Sequence, residues 1–152
     1  GSVYEGGIRV PTIVRMPGKV KAGTSSNAPG YFADWFATLC EVTGTKAPDG
    51  LDGQSLWQVI TGGPDKVARK PMVYIFPEYG GQVAVYFDRF KLLRTGLKTE
   101  KPAGWELYDL EADSGETKNL AEREPGVVAQ GKALLKEANG NNAVFPVVIP
   151  AD

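Results

Sequence analysis

The sequence predicts a mixed α/β protein of the α+β kind: a strand and two helices, then a small four-stranded antiparallel sheet packed on a C-terminal helix. Three observations predict it. Apolar residues recur at helical spacing near residues 31–42 and 125–138, and β-branched runs separated by short turns fill residues 72–94. The 19 glycines and 11 prolines indicate many turns.

A chain of 152 residues forms one domain or two small lobes, and we expect a first lobe over residues 1–62. Residues 8–16 are hydrophobic at nearly successive positions and end at Pro17, which predicts a strand buried on both faces whose sheet lies outside this sequence. A short helix is expected from Ser55 to Ile60. A longer helix over residues 31–42 carries a stripe of apolar side chains that we expect in the core: Phe32, Trp35, Phe36, Leu39 and Cys40.

The second lobe is expected over residues 63–152. Its helix should begin at Pro125 and end near Ala138, and the apolar tail 144–149 predicts a last edge segment. Four strands are expected, over residues 72–76, 83–87, 90–94 and 105–110. The last strand alternates large apolar with acidic residues, which is typical of a strand with one solvent-exposed face.

The composition excludes several classes of chemistry. The chain has no histidine, so Ser-His, Cys-His and His-metal sites are excluded. Its single cysteine, Cys40, allows no internal disulfide and no cysteine zinc cluster, and on the apolar stripe we expect it to be a structural thiol. A net charge of −1 without a basic cluster argues against nucleic acid as a partner. No apolar run reaches the about 18 residues that span a bilayer, and we expect no membrane partner and no export signal in this sequence.

Four sequence blocks together resemble the type I (formylglycine-dependent) sulfatases, of the arylsulfatase kind. They are Tyr4-Glu5-Gly6-Gly7-Ile8-Arg9-Val10-Pro11, Phe32-Ala33-Asp34-Trp35-Phe36-Ala37-Thr38-Leu39, Leu51-Asp52-Gly53-Gln54-Ser55-Leu56, and residues 106–116 with Asn119-Leu120. They follow the order of that family and cover nearly all of this chain, but only the C-terminal third of such an enzyme. Ser114 stands where the family usually has proline.

The resemblance implies a sulfuric ester hydrolase that uses a formylglycine, made in a Cys/Ser-x-Pro-x-Arg motif, beside a calcium ion. Cys40 is followed by Glu41-Val42-Thr43-Gly44, so that motif is absent, and the family's active-site histidines have no counterpart. The family's catalytic lysine normally precedes the Glu-Gly-Gly block. We therefore expect no catalytic residue, metal ligand or cofactor in this chain, which we interpret as a C-terminal fragment, inactive alone, whose partner is an N-terminal sulfatase domain. The resemblance implies a periplasmic or secreted parent.

In the intact family the loop that corresponds to residues 5–7 lies near the catalytic pocket, and the loop that corresponds to residues 78–82 reaches back toward the substrate. The resemblance thus makes Glu78, Tyr79 and Gln82 candidates for substrate contact and Glu5, Gly6 and Gly7 a candidate pocket loop. Tyr79 stands where relatives often have histidine. From the residues alone, an exposed hairpin loop is the favoured interpretation of the first set, and a turn before a strand is the favoured interpretation of the second.

The acidic stretch between residues 106 and 113 invites comparison with a calcium-binding loop. It lacks the Asp/Asn spacing and the glycine position of the twelve-residue EF-hand loop. We therefore expect no metal there, at Glu106, Asp109, Glu111 or Asp113.

A second hypothesis is a stand-alone binding or assembly module that recognises a partner through its groove or a strand edge. Since the strand at 8–16 would have no neighbours in this chain, we expect self-association through that strand.

Overall fold

A computed structural model describes residues 1–65 and 68–138, so the predicted edge segment at 144–149 lies outside the described residues. The chain divides into two compact units, Pro11–Met72 and the first ten residues together with the chain from Val73 on. The predicted division between residues 62 and 63 stays a prediction. Among the described helices, none has the length and apolar character needed to cross a bilayer.

From residue 31 on, the elements lie close to those expected, whereas the helix Glu5–Ile8 was not expected and the strand expected at residues 8–16 is absent. Helices are α1 (Glu5–Ile8), α2 (Asp34–Thr43), α3 (Trp57–Ile60) and α4 (Pro125–Ala138), and strands are β1 (Met72–Phe76), β2 (Gln82–Phe87), β3 (Phe90–Thr95) and β4 (Glu106–Asp109). The strands form one sheet in the order β1-β2-β3-β4, which confirms the predicted antiparallel sheet. Asp88 and Arg89 join β2 to β3 in a two-residue turn, with Asp88 at φ 51°, and Val85 pairs with Leu92. Leu92 pairs in turn with Leu107 of β4.

The first face of the sheet packs against α4. Every second residue of a strand points to the same face of the sheet. The strand residues that point toward α4 form the main core together with Leu135 of that helix. Gly131 faces the sheet: a Cβ there would lie 2.7 Å from Leu92 Cδ2, so glycine permits the close approach of helix and strand. The buried members of this core are Val83, Val85, Phe87, Leu92, Leu107 and Leu135.

The second face of the sheet is covered as well, and the prediction that β4 has one solvent-exposed face is wrong. Val3 is fully buried there with Ala84, Leu93 and Tyr108. The chain's first residues supply the cover, which local alternation in β4 could not reveal because the covering segment is about a hundred residues away in sequence.

In the unit Pro11–Met72, Asp34 organises the start of α2. Its buried carboxylate accepts hydrogen bonds from Tyr31 N (3.0 Å) and Gln54 N (2.9 Å). The Arg69 guanidinium meets both carboxylate oxygens, at 3.2 and 3.3 Å, and donates to Pro29 O at 2.7 Å. The helix ends at Gly44, whose φ of 69° lies in the left-handed region, as expected for a glycine stop.

The prediction that the apolar stripe of residues 31–42 is core is wrong: Trp35 and Cys40 are only half-buried, and the other three members are exposed. Phe32 is 90% exposed, Phe36 55% and Leu39 56%. The helix instead buries Asp34 and Thr38. The hydrogen bonds and the ion pair with Arg69 hold Asp34, and Thr38 Oγ1 accepts a hydrogen bond from Leu56 N at 2.9 Å. Polar anchors thus decide which side of α2 faces inward, and the apolar stripe is left at the surface.

The predicted strand at residues 8–16 is also not formed. Ile8 ends α1, and the chain from Arg9 to Met16 has no regular structure and pairs with none of the described strands. A strand requires a ladder of backbone hydrogen bonds, and Pro11 can donate none. Local β propensity alone does not supply that ladder.

Candidate functional site

The candidate pocket loop, Glu5–Gly7, lies within α1, which is a single helical turn. Gly7 N and Ile8 N donate to Tyr4 O at 2.8 and 3.2 Å, and Arg9 N donates to Glu5 O at 2.9 Å. A Cβ on Gly7 would lie 2.6 Å from Ser2 O, whereas one on Gly6 would meet nothing within 4 Å. Gly7 is therefore required by packing, and Gly6 presents bare backbone on an exposed surface.

A buried ammonium group holds this turn to the sheet. Lys91 of β3 is fully buried, and its Nζ lies 2.9 Å from Glu5 Oε1 and 2.8 Å from Glu116 Oε1. The second oxygen of Glu116 accepts the Glu5 backbone N–H at 2.6 Å. Arg9 Nη1 lies 4.0 Å from Glu5 Oε2 on the solvent side, so two cations face two carboxylates.

A second polar contact fixes the residue before the turn. Tyr4 Oη donates to the Glu106 carboxylate at 2.8 and 2.9 Å, and Tyr108 Oη donates to the same group. Burial, followed by the hydrogen bond to Glu106, raises the pKa of Tyr4 to about 12. The same causes raise the pKa of Tyr108. The carboxylate of Glu106 is thereby occupied by two phenols.

The predicted substrate-contact residues lie in the β1–β2 connection. Glu78 is exposed, and Tyr79, at φ 50°, is 70% exposed. Gln82 is buried at the start of β2, where its side chain accepts Val3 N and donates to Gly1 O, both at 3.3 Å. The Tyr79 ring lies beside Gly1, since a Cβ there would be 3.4 Å from Tyr79 Cε2.

The structure therefore brings parts of the two predicted sets together. Gln82 and Tyr79 contact the chain's first three residues, which lead directly into Tyr4 and α1. Glu78 makes no side-chain contact with Glu5–Gly7 among the hydrogen bonds and ion pairs of the described residues. Whether any of these residues touches a substrate stays a prediction.

The acidic residues considered for calcium have other partners. Asp109 Oδ2 pairs with Arg89 at 3.1 Å, and Asp113 accepts the backbone N–H groups of Thr117 and Lys118 at 2.8 Å each. The hydrogen bond from the Lys118 backbone N–H is the main reason why the pKa of Asp113 is lowered. Within residues 1–65 and 68–138, no three or more Asp, Glu or Cys side chains are gathered as a metal site would require. The described residues therefore do not fit the calcium ion that the resemblance implies for the intact family.

Sequence reasoning did not single out Lys91 or Glu116. A signal for Lys91 was available, since a lysine sits among apolar residues at the position of β3 that shares a face with Leu93. Its partners were not deducible, because Glu5 is 86 residues away. Glu116 has a φ of 54°, in the left-handed region that favours glycine and that other residues seldom adopt.

Comparisons with known proteins agree with the four sequence blocks. The family model described as "N-sulphoglucosamine sulphohydrolase, C-terminal" matches residues 2–139. The chain is 32% identical over 126 residues to an N-acetylglucosamine-6-O-sulfatase of Bacteroides thetaiotaomicron, which covers 78% of this chain and 22% of that protein. It is 32% identical over 139 residues to an uncharacterized sulfatase of Schizosaccharomyces pombe, covering 84% and 24%.

A solved structure agrees as well. The structure of a protein in complex with its substrate D-glucosamine-2-N,6-O-disulfate superposes with a TM-score of 0.65 at 26% identity, over 83% of this chain and 27% of that one. This chain thus spans about a quarter of the length of the proteins it matches. The resemblance to sulfatases is confirmed, and the chain belongs to the N-sulphoglucosamine sulphohydrolase C-terminal family.

Proposed function

We propose that this chain acts as the C-terminal part of a sulfatase, where it closes and shapes the substrate pocket, and that it is inactive alone. One structural observation carries the proposal: Phe32, just before α2, and Phe36 and Leu39 of α2 form an exposed apolar stripe, a surface that an N-terminal domain would cover. The coverage of about a quarter of each relative supports it, since the remaining length is available for such a domain.

In this proposal the formylglycine and the calcium ion belong to the N-terminal domain of the intact enzyme. Sulfate ester cleavage needs an activated nucleophile, cations near the developing negative charge and an acid for the leaving oxygen. The chain has neither histidine nor the formylglycine motif. The chain's contribution is to position two segments at the edge of the pocket, Glu5–Gly7 and the β1–β2 connection at residues 78–82. Glu78, Tyr79 and Gln82 would contact the substrate.

The substrate class that we propose is a sulfate ester of a carbohydrate. Two relatives support it by their names, one an N-acetylglucosamine-6-O-sulfatase and the other solved with a sulfated glucosamine as its substrate. An exposed tyrosine such as Tyr79 suits this class, because an aromatic ring gives a sugar a flat apolar surface while its hydroxyl can hydrogen-bond.

A chimera tests the proposal. The aligned segment of the Bacteroides N-acetylglucosamine-6-O-sulfatase is replaced by this chain, and sulfate release from N-acetylglucosamine 6-sulfate is compared with that of the relative lacking the segment. We expect the chimera to release sulfate and the same chimera carrying Phe36→Asp to lose most of that activity. A soluble, monomeric chimera with no more activity than the shortened relative would overturn the proposal.

Self-association of the chain is a second candidate, favoured by the same exposed stripe on α2 rather than by residues 8–16, which form no strand. Burying three large apolar side chains between two copies would remove them from water. Sedimentation velocity at micromolar concentration distinguishes the two: a dimer that Phe36→Asp dissociates supports the second candidate, and a monomer at every concentration contradicts it.

A further inference from the structure

We propose that Lys91 and Glu116 are positioning residues, which hold the Glu5–Gly7 turn in one conformation and thereby set one edge of the pocket. The inference deepens the proposed function, and it rests on that function for the claim that the turn borders a substrate pocket. The contacts that fix the turn do not depend on that function.

The first argument is the burial of the charges. The side chain of Lys91 is 1% exposed and that of Glu116 is 5% exposed. Taking an ammonium and a carboxylate out of water costs free energy that their attraction only partly returns, so apolar residues of similar size would usually stabilise a fold as well. A buried ion pair is therefore better explained by what it orients than by the stability it adds.

The second argument is direction. Glu116 uses its two oxygens for two different tasks: Oε1 lies 2.8 Å from Lys91 Nζ, and Oε2 accepts the Glu5 N–H at 2.6 Å. Oε1 has no hydrogen-bond partner in the described part of the chain, so the ion pair with Lys91 is its polar contact there. The ammonium thus fixes the carboxylate, and the carboxylate fixes the first backbone N–H of the turn.

The third argument is backbone conformation. Glu116 adopts φ 54°, where an L side chain is disfavoured and glycine would be easier. A long acidic side chain in this conformation agrees with a specific use for the carboxylate.

Amide hydrogen exchange of the chain itself tests the inference. Lys91→Met should speed exchange at the Glu5 amide by about tenfold or more, while amides of β2 and β3 change little, because local opening can be independent of global unfolding. Arg89→Met is the matched control: it removes a cation of the same hairpin that pairs with Asp109 instead, and it should leave the Glu5 amide unchanged.

The double variant Lys91→Met/Glu116→Leu covers the case in which Lys91→Met fails to fold. It removes both buried charges and leaves only the Glu5 carboxylate without the ammonium, and that side chain is 18% exposed and still faces Arg9. We expect the double variant to keep the midpoint of urea unfolding within about 0.5 M of the parent chain and still to expose the Glu5 amide. A merely structural role predicts the opposite, with sheet and turn amides opening together. A Glu5 amide that exchanges at the parent rate in both variants would overturn the inference.

The chimera described above separates this inference from the proposed function. Glu116→Ala in the chimera should lower kcat/KM, with Glu122→Ala, an exposed acidic residue, as the unchanged control. Faster exchange at Glu5 in the chain together with an inactive parent chimera supports the positioning role and contradicts the proposed function. An active chimera that Glu116→Ala leaves unchanged contradicts the positioning role alone.

Discussion

The carboxylate of Glu116 accepts a hydrogen bond from the backbone N–H of Glu5 at 2.6 Å, across 111 residues of sequence. Each residue belongs to one of the four sequence blocks that resemble the sulfatases, Glu5 to residues 4–11 and Glu116 to residues 106–116. This contact, with the Tyr4–Glu106 hydrogen bond beside it, makes the two blocks parts of one structure.

The two glycines of the turn should respond differently to the same substitution. Gly7→Ala places a Cβ 2.6 Å from Ser2 O and should destabilise the chain by about 1–3 kcal/mol, the usual range for overpacking. Gly6→Ala is the matched control, because its Cβ would meet nothing within 4 Å, and it should be neutral or slightly stabilising in a helical turn. Urea unfolding measures both, and equal effects would contradict the packing argument.

Alkaline pH should weaken the attachment of the N-terminal segment. Because burial and Glu106 raise the pKa of Tyr4 from 10.0 to about 12, the folded state favours the protonated phenol. That stabilisation is complete below pH 10 and is lost as pH rises from about 10 toward 12. Tyr4→Phe should therefore flatten the fall of the unfolding free energy over this window. Tyr108 keeps part of the slope, since its pKa is raised too.

Asp34 should be the acidic residue of the unit Pro11–Met72 whose substitution destabilises the fold most. Asp34→Asn removes the charge that faces the Arg69 guanidinium, whose side chain is 8% exposed, and should cost about 3–5 kcal/mol as a broken buried pair. Asp49→Asn, an exposed residue, should change stability by no more than about 0.5 kcal/mol. Thermal unfolding of the two variants provides the comparison. Similar midpoints would show that the Asp34–Arg69 pair does not hold α2.

In the chain by itself, substitution of an exposed apolar residue should change stability far less than substitution of a buried one. Phe36→Ser should change stability by about 0.5 kcal/mol or less and should raise solubility, since the side chain already faces water in large part. Leu135→Ala, at a fully buried position of α4, should cost about 2–5 kcal/mol. A large loss of stability in Phe36→Ser would mean that the stripe of α2 is covered within this chain.

The chain alone should release no sulfate from an aryl sulfate, with or without calcium, beyond a protein-free blank. The physical reason is the lack of histidine and of a formylglycine motif. An intact arylsulfatase assayed in parallel is the positive control. Turnover that a substitution in this chain abolishes would contradict the proposed inactivity.

The sequence by itself determined the elements whose signals are local. The strand at Met72–Phe76 and the helix at Pro125–Ala138 have the bounds that β-branched runs and a helix-opening proline predicted. The sequence blocks also identified the family, because specific residues in a fixed order do not require the fold to be known. The strand predicted at residues 8–16, which is not formed, shows the limit of such signals, since a strand forms only where a neighbouring strand pairs with it.

The tertiary structure alone decided which surfaces meet. Helical periodicity defined the apolar stripe of α2, but the buried bonds of Asp34 and Thr38 turned the opposite side inward. Likewise Lys91 could be noticed in β3, yet its partners Glu5 and Glu116 come from distant segments. Local propensity acts over a few residues, whereas a buried charge selects its partner only when the whole chain has folded around it.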